Sequence, residues 1–214
     1  RPSESTMEFL PIFLDVKAKP CLVVGGGEIA LRKIASLLRA GAAVSVVAPA
    51  LADSLRAQAD RGAFTHLARA FLDEDLEGVH LVVAATDDRS VNRHVAELAR
   101  KRRIPVNVVD QPRDCSFIMP SVIDRSPVVV AVSTGSASPV LARLLRTRLE
   151  SLVPSAYGRL GELCARYRDK VKASISDQRE RRRFWDRVLQ GGVAERVFSG
   201  HMDEADAAME RELA

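Results

Sequence analysis

The ten residues Cys21-Leu22-Val23-Val24-Gly25-Gly26-Gly27-Glu28-Ile29-Ala30 constrain this chain more than any other stretch. An apolar run ends in three glycines. The chain then opens into Leu31-Arg32-Lys33-Ile34-Ala35-Ser36-Leu37-Leu38, which has helical spacing. Strand, glycine turn and helix in that order form a cradle for the pyrophosphate of a dinucleotide. Gly25 permits the tight turn, and Gly27 leaves the backbone bare where the phosphates approach. Ala30 is small enough for the helix to pack closely on the strand. The first turn of the helix then offers unpaired N–H groups and a partial positive charge to an anion. The same pattern also occurs as a plain strand-to-helix turn, so the rest of the chain has to decide.

Its continuation repeats the alternation. Pro11–Val16 reads as an extended lead-in and an edge strand. Strands are expected at 20–24, 43–48, 64–67, 80–85 and 105–110, with helices at 28–40, 51–58 and 90–101. Ser90 is the candidate cap of the last of these helices. Apolar strands separated by helices imply a parallel sheet covered on both faces. After Ser116 the pattern changes to a hairpin, 116–123 with 128–133, turning near Asp124-Arg125-Ser126-Pro127. A helix follows at 140–152, with Ser138 placed to cap it and Pro139 at its first position. Further helices are expected at 157–173, 177–190 and 193–201. Residues 203–214 read as an acidic linker or fraying helix. The fold class expected is therefore α/β. A Rossmann-like domain over 1–115 is followed by a β-hairpin dimerisation region over 116–152 and a helical domain with an acidic tail over 153–214.

Composition narrows the function. The chain has 214 residues and a hydrophobic fraction of 47%, enough for a nucleotide-binding domain and a smaller partner. No apolar run has membrane-spanning length and no signal peptide is visible, so no membrane association is expected. Arg1–Thr6 reads as a tag remnant or tail, with Met7 as the natural start. The three cysteines, Cys21, Cys115 and Cys164, are odd in number and lack metal-ligand spacing, which fits a reducing cytoplasm. The four histidines are scattered, so no protein-bound metal is expected. The net charge of +4 is unevenly spread. Tyr157 to Arg187 carries ten Lys/Arg and five Asp/Glu, and Gly191 to the end carries two and six. Aromatic residues make up 5% and do not interleave with the basic ones, so single-stranded nucleic acid is not the expected partner.

Ligands of an open parallel sheet bind beyond the carboxyl ends of its strands. The loops Gly25–Glu28, Pro49–Ala50 and Thr86–Asp88 lie there, which makes Thr86 and Asp87 candidate cofactor contacts. The strand ending at Val47 has no carboxylate until Asp53, so the usual acidic grip on the ribose is missing. That leaves NAD and NADP both open. Asp110 ends the last strand and reads either as a general base or as the start of a turn. The hydroxyl-rich loop Thr134–Ser138 opens a helix and reads either as a holder of a carboxylate or phosphate or as a plain capped turn.

Several blocks in order resemble the amino-terminal module of siroheme synthases. They are Met7–Leu14, Val23–Gly27, Ala84–Asp88, Asn107–Asp110, Ser116–Ser121, Arg125–Pro127, Ser138–Arg143 and Glu180–Trp185. The resemblance implies NAD-dependent oxidation of precorrin-2 to sirohydrochlorin, followed by insertion of ferrous iron as a substrate to give siroheme. It implies a cytoplasmic homodimer, and a C-terminal methyltransferase domain in the full-length protein. By position, Glu28, Ile29, Pro49 and Ala50 line the NAD site, and Asp110 is the catalytic carboxylate. Asn107, Thr134, Ser138, Arg143 and Arg146 are the candidate contacts to the substrate, whose eight carboxylate arms call for cations and hydrogen-bond donors. Thr134 stands where larger relatives carry a phosphorylatable serine. A dehydrogenase without chelatase activity, or a non-catalytic NAD(H)-sensing module, are the alternatives.

Overall fold

The computed structural model describes residues 7–214, so the reading of Arg1–Thr6 lies outside the described residues. The chain divides after Met119 into two compact units.

The first unit is built on a five-stranded parallel sheet. Its strands are β1 (Pro20–Val24), β2 (Ala43–Val47), β3 (Thr65–Leu67), β4 (Leu81–Ala84) and β5 (Val106–Val108), in the order β3-β2-β1-β4-β5. The strand order reverses between β1 and β4, as it does between the two halves of a Rossmann-like sheet. Alternate residues of each strand enter different cores. Cys21, Val23, Val44, Val46 and Val83 pack with Ile34 and Leu37 of α1 (Glu28–Arg39) and Leu55 of α2 (Asp53–Asp60). Leu22, Val24, Val47, Val82 and Val106 pack with Val95, Ala96 and Ala99 of α3 (Arg89–Lys101). Both faces are covered, which is why these strands read as continuous apolar runs rather than alternating ones.

Two sequence expectations change here. Pro11–Val16 forms no strand. Leu10, Ile12 and Phe13 are exposed at 75%, 69% and 77%, and only Val16 reaches the core. The outer edge of β5, one place a further strand could add, is already closed. Ser116 N–H donates to Val106 O at 2.8 Å, and Ser116 Oγ accepts from Val106 N–H at 2.8 Å. The cap of α3 is Asp88 and not Ser90. Its carboxylate accepts from Ser90 N–H at 2.7 Å and Val91 N–H at 3.3 Å, two of the amides a helix start leaves unpaired.

The second unit begins with the antiparallel hairpin β6 (Ser121–Arg125) and β7 (Val128–Val132). The first strand starts at Ser121, five residues later than its apolar pattern suggests. Helix α4 (Pro139–Leu152) follows, capped by Ser138, whose hydroxyl accepts from Leu141 N–H at 3.2 Å. Ser138→Ala is expected to cost about 1 kcal/mol in urea unfolding of this unit. Helices α5 (Ala156–Ser174), α6 (Gln178–Gln190), α7 (Gly192–Phe198) and α8 (Met202–Leu213) share a core centred on Leu163, Phe184 and Met209. Two glycines of α5 let it lie against the hairpin turn. A Cβ on Gly158 would come within 2.5 Å of Arg125 O, and one on Gly161 within 2.9 Å of Pro127 Cγ.

Residues 203–214 are therefore a packed helix, not a linker. Ala205, Ala208 and Met209 form its buried stripe, at the helical spacing hidden among the acidic residues. Those acidic residues meet the basic stretch. Arg166 pairs with Asp206 at 2.8 Å, Lys170 with Glu210 at 2.7 Å and Arg187 with Glu212 at 2.9 Å. Each exposed pair contributes about 0–1 kcal/mol. Together they give three of the ten basic residues of 157–187 a partner within the chain.

Candidate active site

A cleft of about 890 Å³ opens at the carboxyl ends of β1, β2, β4 and β5, in the first unit. The crossover between β1 and β4 is where an open sheet of this topology leaves room for a ligand. Gly25, Gly27, Glu28, Ile29, Pro49, Ala50, Thr86, Asp87 and Asp110 all line it. Every candidate cofactor contact and the candidate base are thus brought to one place.

The three glycines do different work. Gly25 has φ +122°, and a Cβ there would stand 2.2 Å from Ala85 O. Gly26, not singled out in the sequence, is as constrained, since its Cβ would stand 2.3 Å from Ala50 O. Its carbonyl accepts from Ala52 N–H at 2.8 Å, which ties the glycine turn to the loop after β2. A Cβ on Gly27 would meet nothing within 4 Å. Gly27 caps α1 without any side-chain bond, so the first amides of α1 face the cleft with their donor capacity in hand. These features fit a pyrophosphate on an uncapped helix start.

The walls are held by side chains that the sequence reading passed over. Asn92 of α3 is 2% exposed. Its Oδ1 accepts from Thr86 N–H at 3.1 Å and from Thr86 Oγ1 at 2.8 Å, while its Nδ2 donates to Thr86 O at 2.8 Å. The available signal is a polar residue three, four and seven positions before Val95, Ala96 and Ala99, on the buried stripe of α3. The stretch holding Ala70 and Phe71 is pinned by Asp75, whose carboxylate receives Arg69 Nη1 at 2.8 Å, Arg69 Nη2 at 2.6 Å and Leu72 N–H at 2.8 Å. The hydrogen bond from Arg69 does most to hold the Asp75 carboxyl below its ordinary value, against the opposing effect of burial. Its contribution is complete above the unfolded value near 3.8 and is lost as pH falls through the lower folded value. Acid titration followed by Phe71 exposure is expected to show this loop closed at pH 5 and opening below 3.8.

Glu28, at the start of α1, accepts from Ser54 Oγ at 3.0 Å and so meets α2. Asp53, the first carboxylate after β2, has a fully exposed side chain near Arg56 and does not line the cleft. The charged lining is Glu28, Asp87, Asp88 and Asp110 against Arg89. Asp110 lies on the exposed side of the turn after β5, at φ +56°. Lys33 of α1 is half-buried. Burial lowers its pKa, while Cys115 and Asp110 lie in electrostatic reach and act the other way.

The candidate substrate contacts are placed differently. Asn107 is 6% exposed, and its Nδ2 is taken by Phe117 O at 3.1 Å and Cys115 Sγ at 3.6 Å. Its amide nitrogen thus ties β5 to the segment 115–117. Thr134, Ser138, Arg143 and Arg146 belong to the second unit. Thr134 Oγ1 donates to Ser138 O at 3.0 Å and accepts from Ser138 N–H at 3.2 Å, so these two residues shape their own loop. Arg146 pairs with Glu150 at 3.2 Å, and Arg143 is exposed on α4.

Comparison with known proteins fits this geometry. Residues 12–121, just over half of the chain, match a family model described as "Putative NAD(P)-binding". Residues 156–213 match one described as "Sirohaem synthase dimerisation region". That description covers α5–α8, whereas the sequence reading placed the dimerisation name on 116–152. A siroheme synthase of Nitrosococcus oceani is 54% identical over 97% of this chain and 44% of its own length. One of Nitrosospira multiformis is 56% identical over 97% of this chain and 45% of its own length. The chain belongs to the family of that NAD(P)-binding model, and over nearly its whole length it is similar to siroheme synthases. It spans less than half the length of these siroheme synthase relatives and corresponds to their amino-terminal module. The solved structure of a precorrin-2 dehydrogenase, SirC, superposes with a TM-score of 0.74 at 25% identity, covering 95% of this chain and all of that one. No helix among the described residues is long and apolar enough to cross a membrane.

Proposed function

We propose that this chain oxidises precorrin-2 to sirohydrochlorin with NAD⁺. The observation that carries the reading is Asp110 in one cleft with the glycine turn and the uncapped start of α1. The amides at Glu28 and Ile29 would hold the pyrophosphate, with Gly25 and Gly27 keeping the approach clear. Pro49 and Ala50 would flank the adenosine, and Thr86 and Asp87 would form the wall toward β4. When bound, NAD⁺ supplies the hydride acceptor. Four carboxylates against one arginine along the lining disfavour a 2′-phosphate, which supports NAD over NADP. Asp110 is the group placed to take the proton released as the macrocycle loses a hydride.

Iron insertion is the finer part of the proposal. Ferrous iron is a substrate here, ligated by the nitrogens of the macrocycle, and the protein has only to accept the two pyrrole protons. Asp110, exposed to solvent, would take them one at a time, passing the first to water before it accepts the second. Arg143, Arg146 and the loop Thr134–Ser138 remain candidate groups for carboxylate arms on the resemblance alone.

The chain acts in this reading as a homodimer. Helix α4 supports it, because Val140, Leu141, Leu144, Leu145 and Leu152 are exposed and Ala142 is its buried residue. An apolar face of that size is usually covered by a partner. A methyltransferase domain following this module in a longer protein fits the relatives' length.

Purified chain given precorrin-2 and NAD⁺ is expected to show sirohydrochlorin absorbance, and siroheme when ferrous iron is added. Tight NAD(H) binding without turnover would favour a sensing module instead. Turnover to sirohydrochlorin with no iron insertion would leave a dehydrogenase alone.

A further inference from the structure

One side chain touches both ends of the turn that carries Asp110. Strand β5 is an edge strand, and residues 115–117 run along its free side through Ser116 and the Asn107 amide. Cys115 reaches beyond the strand. Its Sγ accepts from Val108 N–H at 3.1 Å. It also lies 3.2 Å from Val108 O and 3.5 Å from Gln111 O, each within reach of its single proton. Val108 and Gln111 are the two ends of the turn, and Asp110 lies between them.

Asp110 needs such support. Its φ of +56° is left-handed, a conformation that costs a non-glycine residue about 1 kcal/mol or more unless its surroundings impose it. The backbone bonds around it are Val109 N–H to Ala84 O at 2.9 Å, Asp114 N–H to Gln111 O at 3.0 Å and, across the turn itself, Gln111 N–H to Val108 O at a long 3.4 Å. The carboxylate itself is exposed, so its direction is set by the backbone it stands on.

We propose that Cys115 is a positioning residue for Asp110, its thiol fixing the left-handed turn that aims the carboxylate into the cleft. This rests on the reading of Asp110 as the base. Size is part of the reason. A sulfur atom sits farther from Cβ than a hydroxyl oxygen and is larger, so it can touch both ends of the turn at once. A serine keeps one donor and one acceptor but reaches only one end.

The test uses the 214-residue chain with precorrin-2 and NAD⁺, comparing C115A, C115S, D110N and the double variant C115A/D110N. A misplaced catalytic group can cost up to about a hundredfold. Loss of kcat by about tenfold or more in C115A, with KM for NAD⁺ unchanged, is expected. C115S is expected between C115A and the unaltered chain. The double variant is expected to be no slower than D110N, since both changes act on one group. Full kcat in C115A and C115S would overturn the proposal. So would a loss shared equally by kcat and NAD⁺ affinity, which would mean a general distortion of the cleft. If C115A does not fold, C115S decides alone by the same split between kcat and KM. Turnover by D110N at the unaltered rate would instead remove the role of Asp110 as base, a failure visible without either cysteine variant.

Discussion

Asp110→Asn is expected to lower precorrin-2 oxidation by about 10²–10⁴-fold, the range a positioned base contributes. The amide is nearly the same size and keeps a hydrogen-bonding group in place, but it cannot accept a proton at neutral pH. Asn also tolerates the left-handed conformation that this position requires, so the turn should survive. Its fold should therefore be unchanged by circular dichroism and its NAD⁺ affinity by fluorescence titration. If iron insertion uses the same carboxylate, chelation of supplied sirohydrochlorin falls in the same variant. Loss of oxidation with chelation intact would assign the two steps to different groups. Retention of both rates would remove Asp110 from the chemistry.

Gly25→Ala is expected to be the most damaging single change to the fold. The added Cβ would stand 2.2 Å from the carbonyl oxygen and 2.6 Å from the carbonyl carbon of Ala85, both backbone atoms that cannot swing aside. The turn is also pinned on both sides, since Gly25 N–H donates to Val47 O at 2.9 Å and Ala85 N–H to Val24 O at 2.7 Å. A φ of +122° adds strain for any side chain. Overpacking and strain each cost about 1–3 kcal/mol, so a loss of about 3–5 kcal/mol is expected in urea unfolding. Gly27→Ala is the informative contrast. Its φ of −88° suits any residue and its Cβ would enter open space. That variant should fold, with little loss of stability, and bind NAD⁺ more weakly because the methyl group occupies the approach to the helix start. Equal stability losses at the two positions would contradict this division of labour.

What was legible in the sequence follows from what periodicity encodes. Strands β1, β2 and β4 are buried on both faces, and their continuous apolar runs mark them within one or two residues. The cap of α4 was legible because Ser138 and Pro139 act within one turn of the chain. Pro11–Val16 misled because an apolar segment was taken to imply a sheet neighbour that the structure does not provide. Residues 203–214 misled for the opposite reason. Their buried positions are two alanines and a methionine, too weak a stripe to stand out among six charged neighbours. At the site, residues contributed by loops right after strands were found from their positions alone. Asn92 and Cys115 were not, because each acts on backbone groups of a turn or loop beside it. A hydrogen bond to a main-chain atom leaves no partner residue to recognise in the sequence.

The pairing of α8 with α5 and α6 changes how the basic character of this chain should be weighed. Arg166, Lys170 and Arg187 have covalently attached counter-ions, supplied about 25 to 40 residues later in the same chain. A polyanion approaching that face would have to displace carboxylates held at high local concentration, so an isoelectric point near 9.2 overstates the appetite of the helical unit for one. Arg143, exposed on α4, is not compensated in this way. The charge that matters for a carboxylate-bearing macrocycle is thus set by helix pairing and not by the count of basic residues.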